Sequence, residues 1–186
     1  MPLLSFHLIV IHIVFVPLIL WASFIWVGAS GPLFTMPKLS FLPAIIADNL
    51  VPNVGFFVML YYVAYYLYLG DYPVAVPYSC VIIALFLDAN AHLRDYGATA
   101  HWHALIAQAV GWYVQVAVGH NMIEKRKPAL LDSLFDAIVM APLFTFYEIL
   151  FMCGFRKDFK KKLDTRVGNK IVAMNRAQRE KAAGAA

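Results

Sequence analysis

A histidine and a carboxylate one helical turn apart, His120 and Glu124, close a long apolar run. Residues four apart in a helix share one face, so this imidazole and this carboxylate are expected to point toward the same neighbour. A second histidine, His12, lies inside the first apolar segment of the chain. Two imidazoles and one carboxylate form a ligand set that leaves positions on a non-haem Fe(II) open to dioxygen and a substrate. The pattern therefore predicts a metal site made of His12, His120 and Glu124.

A structural interpretation of the same residues stays open. A histidine in an apolar helix is commonly a hydrogen-bonded packing residue, and Glu124 is followed by Lys125 and Lys127, which favour an interfacial ion pair. An ionisable group within a membrane segment nevertheless indicates function, because its desolvation must be offset by a specific interaction.

The composition places these residues in a membrane protein. Of 186 residues, 62% are hydrophobic and only 14% are charged, which is too apolar for a soluble domain of this length. Long apolar runs predict helices, since a helix satisfies its own backbone polar groups in lipid. The predicted segments are Leu3–Ala29, Val51–Leu69, Val74–Ala89, Trp102–Ile123 and Leu134–Phe155. The predicted fold class is an all-α, polytopic helical membrane protein.

The positions of lysine and arginine predict the topology. Ten of the 15 basic residues follow Gly154, and three more form the connector Lys125-Arg126-Lys127. The positive-inside rule places both groups in the cytosol. The last apolar segment contains Asp136, Pro142 and Glu148, which are costly in lipid. We therefore predict four spans with both termini cytosolic, plus a fifth apolar segment that is broken or re-entrant.

The chain is predicted to have two regions, a membrane-embedded catalytic domain over 1–155 and a basic cytosolic tail over 156–186. Apolar residues recur at four-residue intervals in the tail, at Phe159, Leu163, Val167 and Ile171. This spacing predicts a basic amphipathic helix on an anionic membrane surface. No nucleic-acid recognition motif accompanies the basic residues, so no nucleic-acid partner is predicted. The sequence also has no Gly-x-Ser-x-Gly elbow and no phosphate-binding glycine-rich loop, which argues against hydrolysis and nucleotide-driven chemistry.

The topology decides which histidines share a site. His12 lies about 10 Å below the cytosolic entry of the first span, at about 1.5 Å per residue. His120 ends the fourth span on the same side, so the two are predicted to meet. His103 is about 25 Å of helix away from His120, at the opposite end. The histidines at that end are interpreted as parts of a solvated polar connector and an aromatic interface belt: His92, His101 and His103.

One face of the fourth predicted span carries two amides. Gln108 and Gln115 are seven residues apart, and Trp112 lies between them at spacings of four and three. These spacings place all three side chains on one side of a helix. We expect this face to point inward, where amides find hydrogen-bonding partners.

Several motifs resemble those of one family. In chain order they are Ile11-His12, Val16-Pro17, the pair Trp112 and Gln115, Gly119-His120, the block Glu124–Asp132, and Ala141-Pro142 with the aromatic-rich stretch to Glu148. Together they are similar to the motifs of the small endoplasmic-reticulum 2-hydroxy-palmitate dioxygenases, long catalogued as a membrane domain of unknown function. The likeness covers most of the chain, and it is most specific from His120 to Glu148.

The resemblance implies an Fe(II)-dependent oxidoreductase of fatty acid α-oxidation, with several spans in the endoplasmic reticulum membrane. Dioxygen would cleave a long-chain 2-hydroxy fatty acid, releasing CO2 and an acid one carbon shorter, in the route that degrades phytosphingosine. The family's histidine ligands are carried onto His12 and His120. Glu124 matches a family position, and its role as a ligand is our inference. Lys125, Arg126 and Lys127 are weaker candidates for attracting the substrate carboxylate, beside their role in topology.

Two other functions remain as alternatives. Family members usually carry a His-His-Asn group before the Ile-His pair, and this chain has none there, which favours a non-enzymatic lipid-binding or scaffold membrane protein of the same fold. A small transporter would use His12, Asp136 and Glu148 as a proton relay. Bound iron and shortening of a fatty acid would distinguish the enzyme from both.

Overall fold

The computed structural model describes residues 3–37, 41–117 and 134–184, and every regular element in these ranges is helical. The helices are α1 (Leu3–Gly28), α2 (Ala44–Ala47), α3 (Val54–Tyr68), α4 (Tyr72–Tyr96), α5 (Thr99–Tyr113), α6 (Leu134–Met152) and α7 (Lys157–Gly184). A π-helical turn over 114–117 follows α5 directly. The predicted all-α class is confirmed for these ranges. The chain divides into two compact units, Met1–Tyr147 and Glu148–Ala186.

Helix α1 is the centre of the first unit. It packs most extensively against α5 and α4, and to a lesser degree against α3. Ala22, Phe24 and Ile25 on α1 are almost completely buried, and the Phe24 ring meets the edge of Phe86 of α4 at 5.8 Å between centroids. Val10, Val14 and Trp26 on the same helix are exposed, so contact with α3, α4 and α5 does not account for the whole apolar circumference of α1. A helix that is apolar all round but only partly covered by protein fits a membrane span.

The sequence Gly70-Asp71-Tyr72-Pro73 is typical of a tight turn, and helices α3 and α4 on its two sides form the antiparallel hairpin that it predicts. Gly70 adopts a positive φ of 80° at the turn, a conformation that glycine reaches without steric cost. Asn53 caps the start of α3 by accepting a hydrogen bond from the backbone N–H of Phe56 at 3.0 Å. The cap fixes where α3 begins, and the turn fixes where α3 ends and α4 begins.

Helix α4 is longer than the sequence predicts. We expected a polar connector over 88–100, but the helix continues to Tyr96. Two polar residues of this part of α4 have hydrogen-bond partners elsewhere in the fold. Trp21 Nε1 donates to Asp88 Oδ2 at 2.8 Å, and Asn53 Nδ2 donates to Asn90 Oδ1 at 2.8 Å. Polar residues that are satisfied by neighbouring elements do not require a loop.

Two of the described helices are long and apolar enough to cross a bilayer. They are the part of α1 over Leu8–Gly28 and helix α4. Helix α3 and the Ile138–Met152 part of α6 are apolar but shorter. These findings fit a membrane protein, and the four-span topology remains a prediction. Cys80 and Cys153 are unpaired and exposed.

Helix α6 is continuous through Pro142, so the prediction that this segment is broken is wrong, and the prediction that it is re-entrant stays a prediction. Proline has no N–H, so Ile138, four residues earlier, loses its usual donor. The Tyr62 hydroxyl of α3 replaces it, donating to the Ile138 carbonyl at 2.9 Å. The next carbonyl, of Val139, accepts from the Tyr66 hydroxyl at 2.8 Å. Helix α3 therefore compensates for the proline, and no break is needed.

In the second unit, α7 confirms that the basic tail is helical. Lys160 and Asp164 form an ion pair at 3.5 Å, one turn apart. The rings of Phe151 and Phe159 lie 6.2 Å apart between centroids. Phe159 and Val167 are both exposed, as the predicted apolar stripe requires, and the binding of this stripe to a membrane surface remains a prediction.

We predict that Tyr62→Phe destabilises the fold by about 1 kcal/mol, because it removes the part-buried hydrogen bond that the Ile138 carbonyl receives in place of a backbone donor. Thermal unfolding in detergent would measure the change. In the Pro142→Ala background, the new backbone N–H serves that carbonyl, so the same substitution should cost less. Tyr68→Phe is the matched control, since Tyr68 is 85% exposed. An equal loss of stability in both backgrounds would show that the Tyr62 hydroxyl does not replace the backbone donor that Pro142 lacks.

Candidate functional site

Helices α1 and α5 approach each other closely at Gly111. A Cβ atom at this position would lie 2.7 Å from Ile19 Cγ1 and 3.8 Å from Phe15 Cδ1. The first distance is shorter than van der Waals contact allows, so only glycine fits without a shift of the Ile19 side chain or of α1. Small residues at such crossings are typical of helices that pack closely in membranes.

The close approach lets an α5 amide reach the backbone of α1. Gln108 Nε2 donates to the Ile19 carbonyl at 3.1 Å and to Ser23 Oγ at 2.9 Å. Trp112 Nε1 donates to Gln108 Oε1 at 2.9 Å. Gln108 and Gln115 are each only 7% exposed. The prediction that this face points inward is confirmed for both amides, whereas Trp112 is 38% exposed.

These contacts define an antiparallel register between α1 and α5. Gln108 lies level with Ile19 and Ser23, and Gly111 lies level with Phe15 and Ile19. Because the helices are antiparallel, moving one turn toward the C-terminus of α5 corresponds to moving one turn toward the N-terminus of α1. Gln115, one turn after Gly111, therefore lies level with the α1 turn that begins at His12. The end of α5, its π turn and the His12 region therefore form one end of the helix pair.

His12 is half-buried on α1 and has a defined tautomer. Its Nδ1 lies 2.8 Å from the Leu8 carbonyl oxygen. A carbonyl only accepts, so Nδ1 carries the hydrogen and the neutral ring has its lone pair on Nε2. A backbone carbonyl that holds one ring nitrogen while the other faces a metal is the usual arrangement around metal-bound histidine. The geometry of His12 thus fits the predicted role as a metal ligand.

The other predicted site residues lie outside the described residues. They are His120, Glu124, Lys125, Arg126 and Lys127. Their convergence with His12 stays a prediction. Within 3–37, 41–117 and 134–184, no three histidine, cysteine or acidic side chains come together as a metal cluster.

A histidine pair at the opposite end of the bundle was missed by the sequence interpretation. His92 Nε2 and His103 Nδ1 lie 2.9 Å apart and join α4 to α5. The Tyr96 ring packs on both imidazoles, at 4.4 and 5.2 Å between centroids, and the Trp21 ring meets His92 at 5.1 Å. The interpretation of His92 as part of a solvated loop is therefore wrong. The sequence could have indicated this pair, because His92 and His103 lie at nearly equal distances on the two sides of Gly97. In a helical hairpin that turns at Gly97, residues at such positions face each other.

Comparison with known proteins shows which family the chain belongs to. Residues 6–153 match the family model described as 2-hydroxy-palmitic acid dioxygenase Mpo1-like. The chain belongs to this Mpo1-like family, as its motifs suggested. One relative is the 2-hydroxy-palmitic acid dioxygenase MPO1 of Saccharomyces cerevisiae, which is 46% identical over 55 residues. The matched part covers 30% of this chain and 31% of the yeast protein. No solved structure gives a significant match.

We predict that Gly111→Ala destabilises the first unit by about 1 to 3 kcal/mol, because the added methyl overlaps Ile19. Ile19→Ala removes the overlapping atoms, so the double variant should lose less stability than the sum of the two single losses. Unfolding temperatures in detergent would measure the three variants. The control is Gly168→Ala in α7, where an added Cβ meets nothing within 4 Å. Strictly additive losses would rule out the close contact between α1 and α5.

Proposed function

We propose that this chain is an Fe(II)-dependent dioxygenase that shortens long-chain 2-hydroxy fatty acids by one carbon. Membership of the Mpo1-like family and the named activity of the yeast relative support this proposal. The observation that carries it is the His12 imidazole, whose Nδ1 is held by the Leu8 carbonyl so that Nε2 bears the lone pair.

The proposed reaction balances without another reductant. A 2-hydroxy acid and one dioxygen give the acid one carbon shorter, one CO2 and one water. The bond between C1 and C2 breaks, C1 leaves as CO2, and C2 becomes the new carboxyl carbon. The electrons that reduce both oxygen atoms of dioxygen come from the oxidation of C1 and C2.

His12, His120 and Glu124 would hold the iron in this proposal. Bound Fe(II) would supply the redox chemistry for dioxygen and a place where the hydroxyl and carboxylate of the substrate are held together. The contribution of the Leu8 carbonyl is to hold the His12 ring in one tautomer and orientation. The close α1 and α5 contact at Gly111 sets the level of that ring relative to the end of α5.

A membrane location suits this substrate. The acyl chain of a 2-hydroxy acid favours the hydrocarbon region, whereas its carboxylate and hydroxyl favour the headgroup level. We propose a multi-pass protein of the endoplasmic reticulum membrane with four spans and cytosolic termini, and with His12 near the cytosolic headgroups. Lys125, Arg126 and Lys127 would attract the carboxylate from that side. The apolar lengths of α1 and α4 support the membrane part of the proposal.

Turnover of 2-hydroxypalmitate by purified protein tests this proposal. Protein loaded with Fe(II) without oxygen and then exposed to air should form the 15-carbon acid and CO2 and consume equimolar dioxygen. His12→Ala should lower the rate to the background of free iron while the unfolding temperature stays close to wild type. His101→Ala, at the other end of α5, is the control and should retain the rate. Absence of iron binding and of turnover in folded wild-type protein would instead favour the scaffold function.

A further inference from the structure

Two buried glutamines, one on α5 and one in the π-helical turn that follows it, have different surroundings. Gln108 and Gln115 are equally buried, each 7% exposed. The Gln108 amide uses both of its polar atoms, because Nε2 donates to α1 and Oε1 accepts from Trp112. The Gln115 Nε2 is buried and has no hydrogen-bond partner in the described parts of the chain. A buried amide donor without a partner costs about 1 to 3 kcal/mol, so its presence requires an explanation.

The backbone at Gln115 is also unusual. The α-helix ends at Tyr113, and Gln115 lies within the π-helical turn over 114–117. Such turns are rare, and they occur frequently at functional sites. Because the register of α1 and α5 brings Gln115 level with the turn that begins at His12, the unpaired donor belongs to the end of the helix pair that holds the predicted metal ligand.

We propose that Gln115 binds the carboxylate of the 2-hydroxy fatty acid through a hydrogen bond donated by its Nε2. This inference rests on the proposed function for the identity of the ligand. An amide N–H requires an oxygen acceptor, and a carboxylate oxygen is the strongest acceptor that the substrate offers, since hydrogen bonds to ionised groups are roughly twice as strong as neutral ones. A neutral donor also holds the acid without adding another charge to an apolar interface.

The test measures equilibrium binding rather than turnover. Dissociation constants would be determined without oxygen on the Fe(II)-loaded protein in detergent, for 2-hydroxypalmitate and for 1,2-hexadecanediol. The diol has the same chain length and hydroxyl group but no carboxylate. Gln115→Met keeps a similar side-chain volume and removes the donor. We expect it to weaken binding of the acid by about 10- to 100-fold, the loss typical of a hydrogen bond to a charged group, and to leave binding of the diol unchanged.

The unfolding temperature without ligand separates this role from a structural one. Removing an unpaired donor should leave the unfolding temperature of Gln115→Met equal to or above that of wild type. Gln108→Met, the matched variant one heptad earlier, should unfold at a lower temperature because it breaks existing hydrogen bonds. An equal drop in both variants would show that Gln115 has a partner within the protein and would overturn the proposal. So would unchanged binding of 2-hydroxypalmitate to Gln115→Met.

These results are independent of whether the proposed reaction occurs. A wild-type protein that binds the acid in a Gln115-dependent manner but does not shorten it would leave the Gln115 site standing while the dioxygenase function fails. A wild-type protein that shortens the acid but binds it equally well in Gln115→Met would retain the function and remove the site.

Discussion

The contact between Gly111 of α5 and Ile19 of α1 determines the geometry of the end of the bundle where we propose the site. It brings the two helices close enough for Gln108 to bond the α1 backbone at Ile19, and these bonds fix the antiparallel register. In this register, the turn that begins at His12 lies level with Gln115. The chemistry we propose for the end of the pair therefore depends on a packing contact about one to two turns away.

Polar groups within the bundle differ in how they are satisfied. Toward one end of α1 they are bonded to each other, as in the pair of Asn53 with Asn90 and the pair of His92 with His103. Such satisfied pairs connect helices and specify which of them are neighbours. Toward the other end, Gln115 keeps a buried donor with no partner among the described residues. Hydrogen bonds from Tyr62 and Tyr66 to α6 also join helices away from these pairs, so both ends of the bundle are held together, and the unused amide donor of Gln115 is where we propose that a ligand binds.

The sequence predicts the parts of this structure that depend on local patterns. Apolar runs and the turn at Gly70 predicted the helices and the hairpin, and the spacing of the glutamines predicted their shared inward face. Features that depend on partners distant in the chain were not predictable in this way. Helix α4 continues past Asp88 because Trp21 supplies its hydrogen bond, and α6 remains one helix because Tyr62 compensates for Pro142. Family motifs identified His12, whereas its tautomer depends on where the Leu8 carbonyl lies and becomes visible only in three dimensions.

The most direct test of the account is X-ray absorption at the iron edge of protein loaded with Fe(II) without oxygen. The account predicts scattering from imidazole ligands in the wild-type protein and a smaller imidazole contribution in His12→Ala, measured on samples that remain folded. An identical spectrum for wild type and His12→Ala would show that this histidine does not hold the metal, and it would contradict the placement of the site at the α1 and α5 end of the bundle.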